Sequence, residues 1–277
     1  MTAAGPTITL ADGVRIPQLG LGVWQIPLDD TQRVVEEALA GGYRHIDTAA
    51  SYDNEEGVGA ALAAAGIPRD EVFVTTKLWN ADQGHEEARR AFERSLGRLG
   101  LDRVDLYLIH WPMPAEDRFV ETWRALEEIQ GEGRVRSIGV SNFRPEDLER
   151  LESETARAPT VNQIELHPRL QQEELRAFHA AHGIVTAAWS PLASGAMFGD
   201  RKIEEIAARL GRTAAQVILR WHLQLGNVVI PKTATTGRLA ENVAIFDFEL
   251  DPEDMASIAT LETGGRVGPD PATFAIR

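Results

Sequence analysis

Cysteine is absent from the 277 residues of this chain. Disulfide bonds, thiol nucleophiles and thiolate metal sites are therefore all excluded. Basic residues are also scarce, since 28 lysines and arginines stand against 42 aspartates and glutamates, a formal charge of −14 at pH 7. A net charge of that sign repels nucleic-acid phosphates and anionic membrane surfaces, so we expect neither as a partner.

Long apolar segments are missing too. No run in the sequence approaches the roughly 18 apolar residues of a membrane-spanning helix. The opening residues, MTAAGPTITL, contain neither a basic segment nor a long apolar one, so they do not resemble a secretory leader. Because the lack of cysteine also suits a reducing compartment, we predict a cytoplasmic protein.

Short apolar segments alternate with amphipathic helical patterns along almost the whole chain. Counting from Leu19 gives eight strand–helix units, which predicts an α/β fold of the closed (β/α)8 TIM barrel type. Asp12-Gly13 lies between two short apolar pieces and predicts an N-terminal β-hairpin that caps the barrel. The pattern over residues 252–259 predicts an extra C-terminal helix.

No linker rich in proline, glycine or serine separates these units, which predicts a single domain over residues 1–277. The last stretch, from Thr263 to Arg277, contains several glycines and prolines and shows no periodicity. We expect it to lie as irregular chain over the barrel. Monomers and dimers both suit such a fold, and a monomer is our expectation.

Three successive predicted strands end in an ionisable side chain: Asp47, Lys77 and His110. In a parallel barrel the corresponding ends of the strands meet at one mouth, where Tyr52 follows Asp47 on the loop. This group suits proton donation by a phenol. A free tyrosine has a pKa of about 10, and we expect the nearby ammonium of Lys77 to lower the pKa of Tyr52.

The other two members have supporting roles in this prediction. Asp47 keeps the buried Lys77 charged and oriented, and His110 donates a hydrogen bond to the carbonyl oxygen of a substrate. Each of these residues taken alone would more often be an ordinary cap, ion pair or core residue. Their conjunction at three strand ends favours a catalytic site.

A dinucleotide fold of the Rossmann type is excluded by the residues around Gly20 and Gly22. The sequence Gly20-Leu21-Gly22 begins like the dinucleotide fingerprint but lacks its third glycine and the acidic residue that should follow in a βαβ unit. Any nucleotide must therefore bind in another way. His179 and His182, an i, i+3 pair, lack a third ligand, so we predict two surface residues and no metal site.

Two motifs resemble a known family. The stretch from Gly42 to Gly59, GYRHIDTAASYDNEEGVG, and the sequence around His110, IHWP, are similar to those of the aldo-keto reductases. The similarity extends over nearly the whole chain, and the pattern is closest to the members that resemble 2,5-diketo-D-gluconate reductase. One departure is Asp53, which stands where the family usually has glycine.

The resemblance implies an activity. By it, Tyr52 is the general acid in the reduction of a carbonyl group by NADPH, and Asp47, Lys77 and His110 tune and position it. The substrate is then a small aldehyde or ketone, converted to an alcohol. Short loops around the mouth imply an open pocket, so we expect small dicarbonyls such as methylglyoxal, or keto-sugars. Trp24, Trp79 and Trp111 follow strands one, three and four, so we expect them to form the wall of the substrate pocket together with His110. Core or rim packing is the alternative for Trp79.

The resemblance also implies a cofactor site. Amide and hydroxyl groups at strand ends would hold the nicotinamide carboxamide, namely Ser141, Asn142 and Gln163. Trp189 would stack on the ring, where most members have tyrosine and the diketogluconate reductase-like ones have tryptophan. The adenosine 2′-phosphate and adenine would meet Lys232, Arg238, Glu241 and Asn242. Lesser contacts would come from Ser190, Leu192 and Thr233.

Two cations at one phosphate favour NADPH over NADH, since charge-assisted hydrogen bonds to phosphate are strong. Two other functions stay open. One is a redox-sensing module that binds NADPH with negligible turnover. The other is an aldolase in which Lys77 forms a Schiff base.

Overall fold

The computed structural model describes residues 5–277, which begin with the N-terminal hairpin. The hairpin pairs β1 (Thr7–Thr9) with β2 (Arg15–Pro17) in antiparallel fashion, with the predicted Asp12-Gly13 turn between them. Leu10 and Ile16 of the hairpin pack against Phe73, Val161 and Val228, each the first residue of a barrel strand. The hairpin therefore caps the end of the barrel where the strands begin.

Eight parallel strands follow, each hydrogen-bonded to the next in chain order. They are β3 (Leu21–Gly22), β4 (His45–Asp47), β5 (Phe73–Leu78), β6 (Val104–Ile109), β7 (Val135–Ser141), β8 (Val161–Glu165), β9 (Val185–Trp189) and β10 (Val228–Ile230). Parallel bridges from Leu19 to Val229 and from Gly22 to Lys232 join the first strand to the last. The predicted (β/α)8 barrel is confirmed.

Helices surround the strands. They are α1 (Leu28–Ala40), α2 (Glu55–Ala64), α3 (His85–Leu99), α4 (Phe119–Gly131), α5 (Pro145–Glu154), α6 (Glu173–Ala181), α7 (Arg201–Leu210), α8 (Ala214–Gln224), α9 (Thr236–Val243) and α10 (Pro252–Ala259). Helix α10 is the predicted extra C-terminal helix. None of the helices in residues 5–277 is both long and apolar enough to cross a membrane.

The period of two along each strand divides the core into two layers. Leu106 and Leu108 of β6 belong to the barrel interior, whereas Tyr107 and Ile109 pack outward against the helices. Because apolar side chains fill most of the interior, the barrel is a packed core, and the ionisable groups of the predicted site lie near the strand ends. After α10 the chain continues to Arg277 without further helix or strand and crosses the mouth of the barrel.

Candidate active site

A cleft of about 410 Å³ lies at the carboxyl ends of the strands. Strand ends and short loops form its floor and sides, and the C-terminal tail closes one edge. The lining residues are Gly22, Trp24, Asp47, Ser51, Tyr52, Trp79, His110, Trp111, Ser141, Asn142, Gln163, Trp189, Ser190, Ser194, Ile230, Lys232, Val267, Gly268, Pro269 and Phe274.

Lys77 lies beneath this cleft and is fully buried. Its Nζ donates three hydrogen bonds, to Asp47 Oδ1 at 2.5 Å, to the carbonyl oxygen of Thr48 at 2.9 Å and to the hydroxyl of Tyr52 at 3.4 Å. Burial is the largest single effect and lowers the pKa of Lys77, but the charges and hydrogen bonds of Asp47 and Tyr52 together outweigh burial, so the pKa of Lys77 is raised. The side chain is therefore a fixed ammonium ion beside the phenol.

The protonation of Tyr52 differs from our expectation. Burial raises the pKa of Tyr52, and although the ammonium of Lys77 acts in the opposite direction, the pKa stays above its ordinary value. The predicted lowering of this pKa is wrong for the free protein, because the loss of hydration disfavours a phenolate more than one ammonium at 3.4 Å favours it. At neutral pH Tyr52 therefore carries its proton, ready to donate it.

His110 is a neutral imidazole. Burial, followed by the nearby charge of Lys77, holds the pKa of His110 well below its usual range. Its ring meets Tyr52 edge-on at 5.7 Å and Trp79 edge-on at 5.4 Å between ring centroids. Its Nδ1 lies 3.5 Å from the Ser51 hydroxyl. A neutral imidazole has one N–H to donate, which suits a hydrogen bond to a carbonyl oxygen without competing for Tyr52's proton.

The loop that carries Tyr52 explains the departure at Asp53. Asp53 has φ 53° and ψ 31°, the left-handed conformation that glycine adopts most readily. Aspartate is among the few other residues that tolerate this region. The chain therefore makes the turn that glycine would make, and Tyr52 is placed over Lys77 as in the expected site.

The residues predicted to hold a nicotinamide carboxamide lie together in the cleft. Trp189 Nε1 donates to Asn142 Oδ1 at 2.8 Å, and Asn142 Nδ2 donates to Ser141 Oγ at 3.0 Å. Gln163 Nε2 donates to Asp47 Oδ2 at 2.8 Å. Gln163 thus connects the predicted cofactor corner to the Asp47–Lys77 pair, a link that the sequence did not predict.

The aromatic residues predicted to form the pocket wall all line the cleft. Trp24 is 49% exposed at its rim, whereas Trp111 is buried. Trp111 also contacts Phe274 of the tail, with ring centroids 4.2 Å apart. Sequence reasoning missed Phe274 and its neighbours Val267, Gly268 and Pro269 as lining residues. The only signal was the irregular, glycine- and proline-containing composition of the tail.

The residues predicted for the adenosine end and for the lesser cofactor contacts divide into two groups. Lys232 and Ser190 line the cleft, whereas Leu192, Thr233, Arg238, Glu241 and Asn242 lie outside its lining. Within residues 5–277, neither Lys232 nor Arg238 has a carboxylate within 4.0 Å, although the chain is acidic overall. Glu241 is engaged elsewhere, since its carboxylate accepts a hydrogen bond from the hydroxyl of Thr213 at 2.5 Å.

These residues fit a phosphorylated nicotinamide dinucleotide. An indole and neighbouring amides line the cleft together with Lys232, and neither Lys232 nor Arg238 has an acidic partner in the described chain. An anionic phosphate would supply those partners. Lys232 and Arg238 would hold the phosphate, and Trp189 with Gln163 would hold the nicotinamide.

We expected both His179, in α6, and His182, directly after α6, to lie on the surface. This prediction is wrong for His179. His179 is fully buried, where it hydrogen-bonds Asn162 at 3.0 Å and Thr186 at 2.9 Å. Its role is structural, because these two polar groups hold it on the inner face of the helix. His182 pairs with Glu152 at 2.8 Å. The described part of the chain contains no group of three or more potential metal ligands.

An aldolase mechanism does not suit Lys77. A Schiff base requires a neutral, accessible amine. Lys77 is an ammonium ion whose hydrogens are all donated, and it is not among the residues that line the cleft.

The fold and site together therefore define a class of protein, a barrel oxidoreductase that binds a nicotinamide cofactor.

Comparison with known proteins agrees. A model of the aldo/keto reductase family matches residues 18–263. The chain therefore belongs to the aldo/keto reductase family. An aldo-keto reductase of Mycolicibacterium smegmatis is 57% identical over 269 residues, 97% of this chain and 98% of its own. Methylglyoxal reductase DkgA of Escherichia coli K12 is 51% identical over 274 residues, 98% of this chain and 99% of its own.

Solved structures give the same result. A mutant of Gox0644 in complex with NADPH is 50% identical, with a TM-score of 0.95 over 98% of this chain and 99% of the other. The Bombyx mori aldo-keto reductase AKR2E4 in complex with NADP is 36% identical, with a TM-score of 0.90 over 97% of this chain and 96% of the other. The protein is an NADPH-dependent oxidoreductase that reduces carbonyl groups.

Proposed function

We propose that Tyr52 is the general acid of this reductase and that its substrates are small dicarbonyls or keto-sugars. One observation carries the proposal. The Tyr52 hydroxyl lines the cleft and lies 3.4 Å from a buried ammonium ion that is itself paired with Asp47 at 2.5 Å. A proton donor is thereby placed where a carbonyl oxygen could lie between it and His110.

When NADPH is bound, it supplies the hydride that reaches the carbonyl carbon. The protein supplies the proton. As negative charge develops on the carbonyl oxygen, His110 donates a hydrogen bond to it and Tyr52 transfers its proton. The ammonium of Lys77 stabilises the phenolate that forms, and Asp47 keeps that ammonium in place. The alcohol then leaves with the proton of Tyr52.

The shape of the cleft supports a small substrate. Trp79 meets His110 edge-on and Phe274 contacts Trp111, and all four rings line the cleft, so the space beside the proton donor is bounded by rigid rings. Relatives that are half identical over nearly the full chain are named methylglyoxal reductases, which agrees with this size. We therefore expect a much higher kcat/KM for methylglyoxal than for a steroid ketone. Comparable values for the two would refute the substrate proposal.

The role of Tyr52 is tested with Tyr52→Phe, which removes the hydroxyl and keeps the ring. We expect kcat to fall by about 10² to 10⁴, the usual contribution of general acid catalysis, while the affinity for NADPH is retained. Tyr43→Phe is the matched control, because Tyr43 is also buried and, within residues 5–277, its hydroxyl donates a single hydrogen bond, to the Leu239 carbonyl oxygen at 3.2 Å.

Turnover is followed by the loss of NADPH absorbance with methylglyoxal and a panel of keto-sugars. Equal rates for wild type and Tyr52→Phe would remove Tyr52 from the mechanism. If the wild type binds NADPH but reduces no carbonyl, the redox-sensing alternative replaces the proposed function.

A further inference from the structure

Glu165 is a buried carboxylate with no part in the mechanism above. It is the last residue of β8, and its side chain is fully shielded from solvent. Its oxygens accept hydrogen bonds from the backbone N–H groups of Val267 at 2.5 Å and Gly268 at 3.1 Å, and His167 Nε2 lies 3.0 Å away. A carboxylate at a strand end thus holds the chain about 100 residues further on.

The number of donors explains why a charge is tolerated there. Burial raises the pKa of Glu165, but the hydrogen bonds from His167, Val267 and Gly268 outweigh burial and leave the pKa below its ordinary value. Arg266 adds a guanidinium at 3.7 Å. Because a buried anion is stable only when donors surround it, the tail and Glu165 depend on each other.

At this point the tail lies directly against Trp189. A Cβ atom placed on Gly268 would lie 2.3 Å from Cη2 and 3.0 Å from Cζ3 of the indole, and 3.1 Å from Glu165 Oε2. No side chain fits between backbone and ring. The contact therefore requires both glycine and the hydrogen bond that holds the Gly268 backbone in place.

The other side of the same indole is also held. Trp189 Nε1 donates to Asn142 Oδ1 at 2.8 Å, and Asn142 Nδ2 donates to the carbonyl oxygen of His110 at 3.0 Å. The ring is thus fixed between the tail and the loop after β7. The indole lines the cleft, where a nicotinamide ring would stack on it.

We infer that Glu165 is a positioning residue: by anchoring Val267 and Gly268 of the C-terminal tail, it fixes the Trp189 indole and so preorganises the binding site for the nicotinamide ring. This inference rests on the proposed function in so far as it places nicotinamide against Trp189. Preorganisation of an aromatic platform lowers the cost of ordering on binding, so its loss appears chiefly in cofactor affinity.

The test uses the full-length protein and four variants. Glu165→Gln preserves volume but replaces one acceptor oxygen with an amide group that faces N–H donors. Gly268→Ala leaves the carboxylate intact and pushes tail and indole apart. Trp189→Phe removes the indole that both act on. Asp105→Asn is the control, because Asp105 is a buried carboxylate that accepts from the Val74 backbone at 2.9 Å.

The first measurement is amide hydrogen exchange without cofactor. We expect faster exchange at Val267 and Gly268 in Glu165→Gln and no change there in Asp105→Asn. The second is calorimetric titration with NADPH. We expect the Kd to rise about tenfold in Glu165→Gln and in Gly268→Ala, on the scale of one charge-assisted hydrogen bond, and kcat at saturating NADPH to stay within a few-fold of wild type in Glu165→Gln.

The combination of Glu165→Gln with Trp189→Phe decides whether the effect passes through the indole. If it does, Glu165→Gln changes the Kd less than threefold once Trp189 is phenylalanine. The same tenfold loss in both backgrounds, or an unchanged Kd in Glu165→Gln, overturns the inference. If Glu165→Gln does not fold, an unchanged Kd in Gly268→Ala overturns it equally. The Kd is measured without turnover. If Tyr52 is not the general acid, the Kd values therefore still test the role of Glu165.

Discussion

Lys77→Met should separate the stability of the active site from its chemistry. The substitution keeps a long side chain but removes three hydrogen bonds, to Asp47, Thr48 and Tyr52. Asp47 then remains a buried carboxylate with the amide of Gln163 at 2.8 Å. Removal of one partner from a buried ion pair costs about 3–5 kcal/mol, because the other charge stays buried without compensation. We expect the free energy of unfolding to fall by about that amount.

The effect on catalysis follows from the distance between Lys77 and Tyr52. Two unit charges about 4 Å apart interact by about 4 kcal/mol at an effective dielectric constant of about 20. If the phenol oxygen carries about half a negative charge in the transition state, removal of the ammonium costs about 2 kcal/mol of transition-state stabilisation. If it carries a full negative charge, the cost is about 4 kcal/mol. At about 1.4 kcal/mol per tenfold, kcat should fall by about 30- to 1000-fold.

Urea unfolding and single-turnover reduction measure the two effects, and the double variant Asp47→Asn with Lys77→Met tells them apart. That variant removes both charges, so it should recover most of the lost stability and none of the lost kcat. A single variant that keeps kcat within threefold of wild type would refute the reasoning. Recovery of kcat together with stability in the double variant would also contradict it, since the ammonium would then act only on folding.

Three further predictions concern pH, cofactor choice and the loop after the proton donor. Burial lowers the pKa of His45 and His179 to about 4 and of His222 to about 3. These folded values lie below the unfolded one of about 6.5, so stability should be complete above that pH and fall below it, by about 2 kcal/mol per histidine at about pH 5, with the Tm as the measure. Arg238→Ala should weaken NADPH binding by about 10- to 100-fold and leave NADH binding unchanged. Asp53→Gly should stabilise the protein by up to about 1 kcal/mol in urea unfolding, with kcat within twofold of wild type, because glycine relieves a left-handed conformation.

Each of these has a contrary outcome. A Tm that is the same at pH 7 and pH 5 would show that the buried histidines can be protonated without disrupting the core. An equal loss of NADPH and NADH affinity in Arg238→Ala would place the guanidinium away from the 2′-phosphate. Marked destabilisation by Asp53→Gly would mean that a contact of the aspartate stabilises the fold by more than its left-handed conformation costs.

Strand ends were predictable because the hydrophobic pattern and the breaks between segments define where each strand stops. Asp47, Lys77 and His110 lie within one residue of the ends of β4, β5 and β6. Asp47 and His110 line the cleft, and Lys77 lies directly beneath it. The carboxyl ends of parallel strands all lie at one end of a barrel, so side chains at those ends are close together. The same reasoning correctly put Trp189 at the end of β9.

Local pattern alone therefore determined the barrel, its N-terminal cap and the set of ionisable groups at its mouth. Tertiary structure decided what those groups do to one another. The pKa of Tyr52 depends on whether burial or Lys77 prevails, and the buried position of His179 depends on which helix face meets the barrel. The contact of Gly268 with Trp189 joins segments far apart in sequence. Desolvation and long-range packing depend on which surfaces meet, and no periodicity along the chain encodes that meeting.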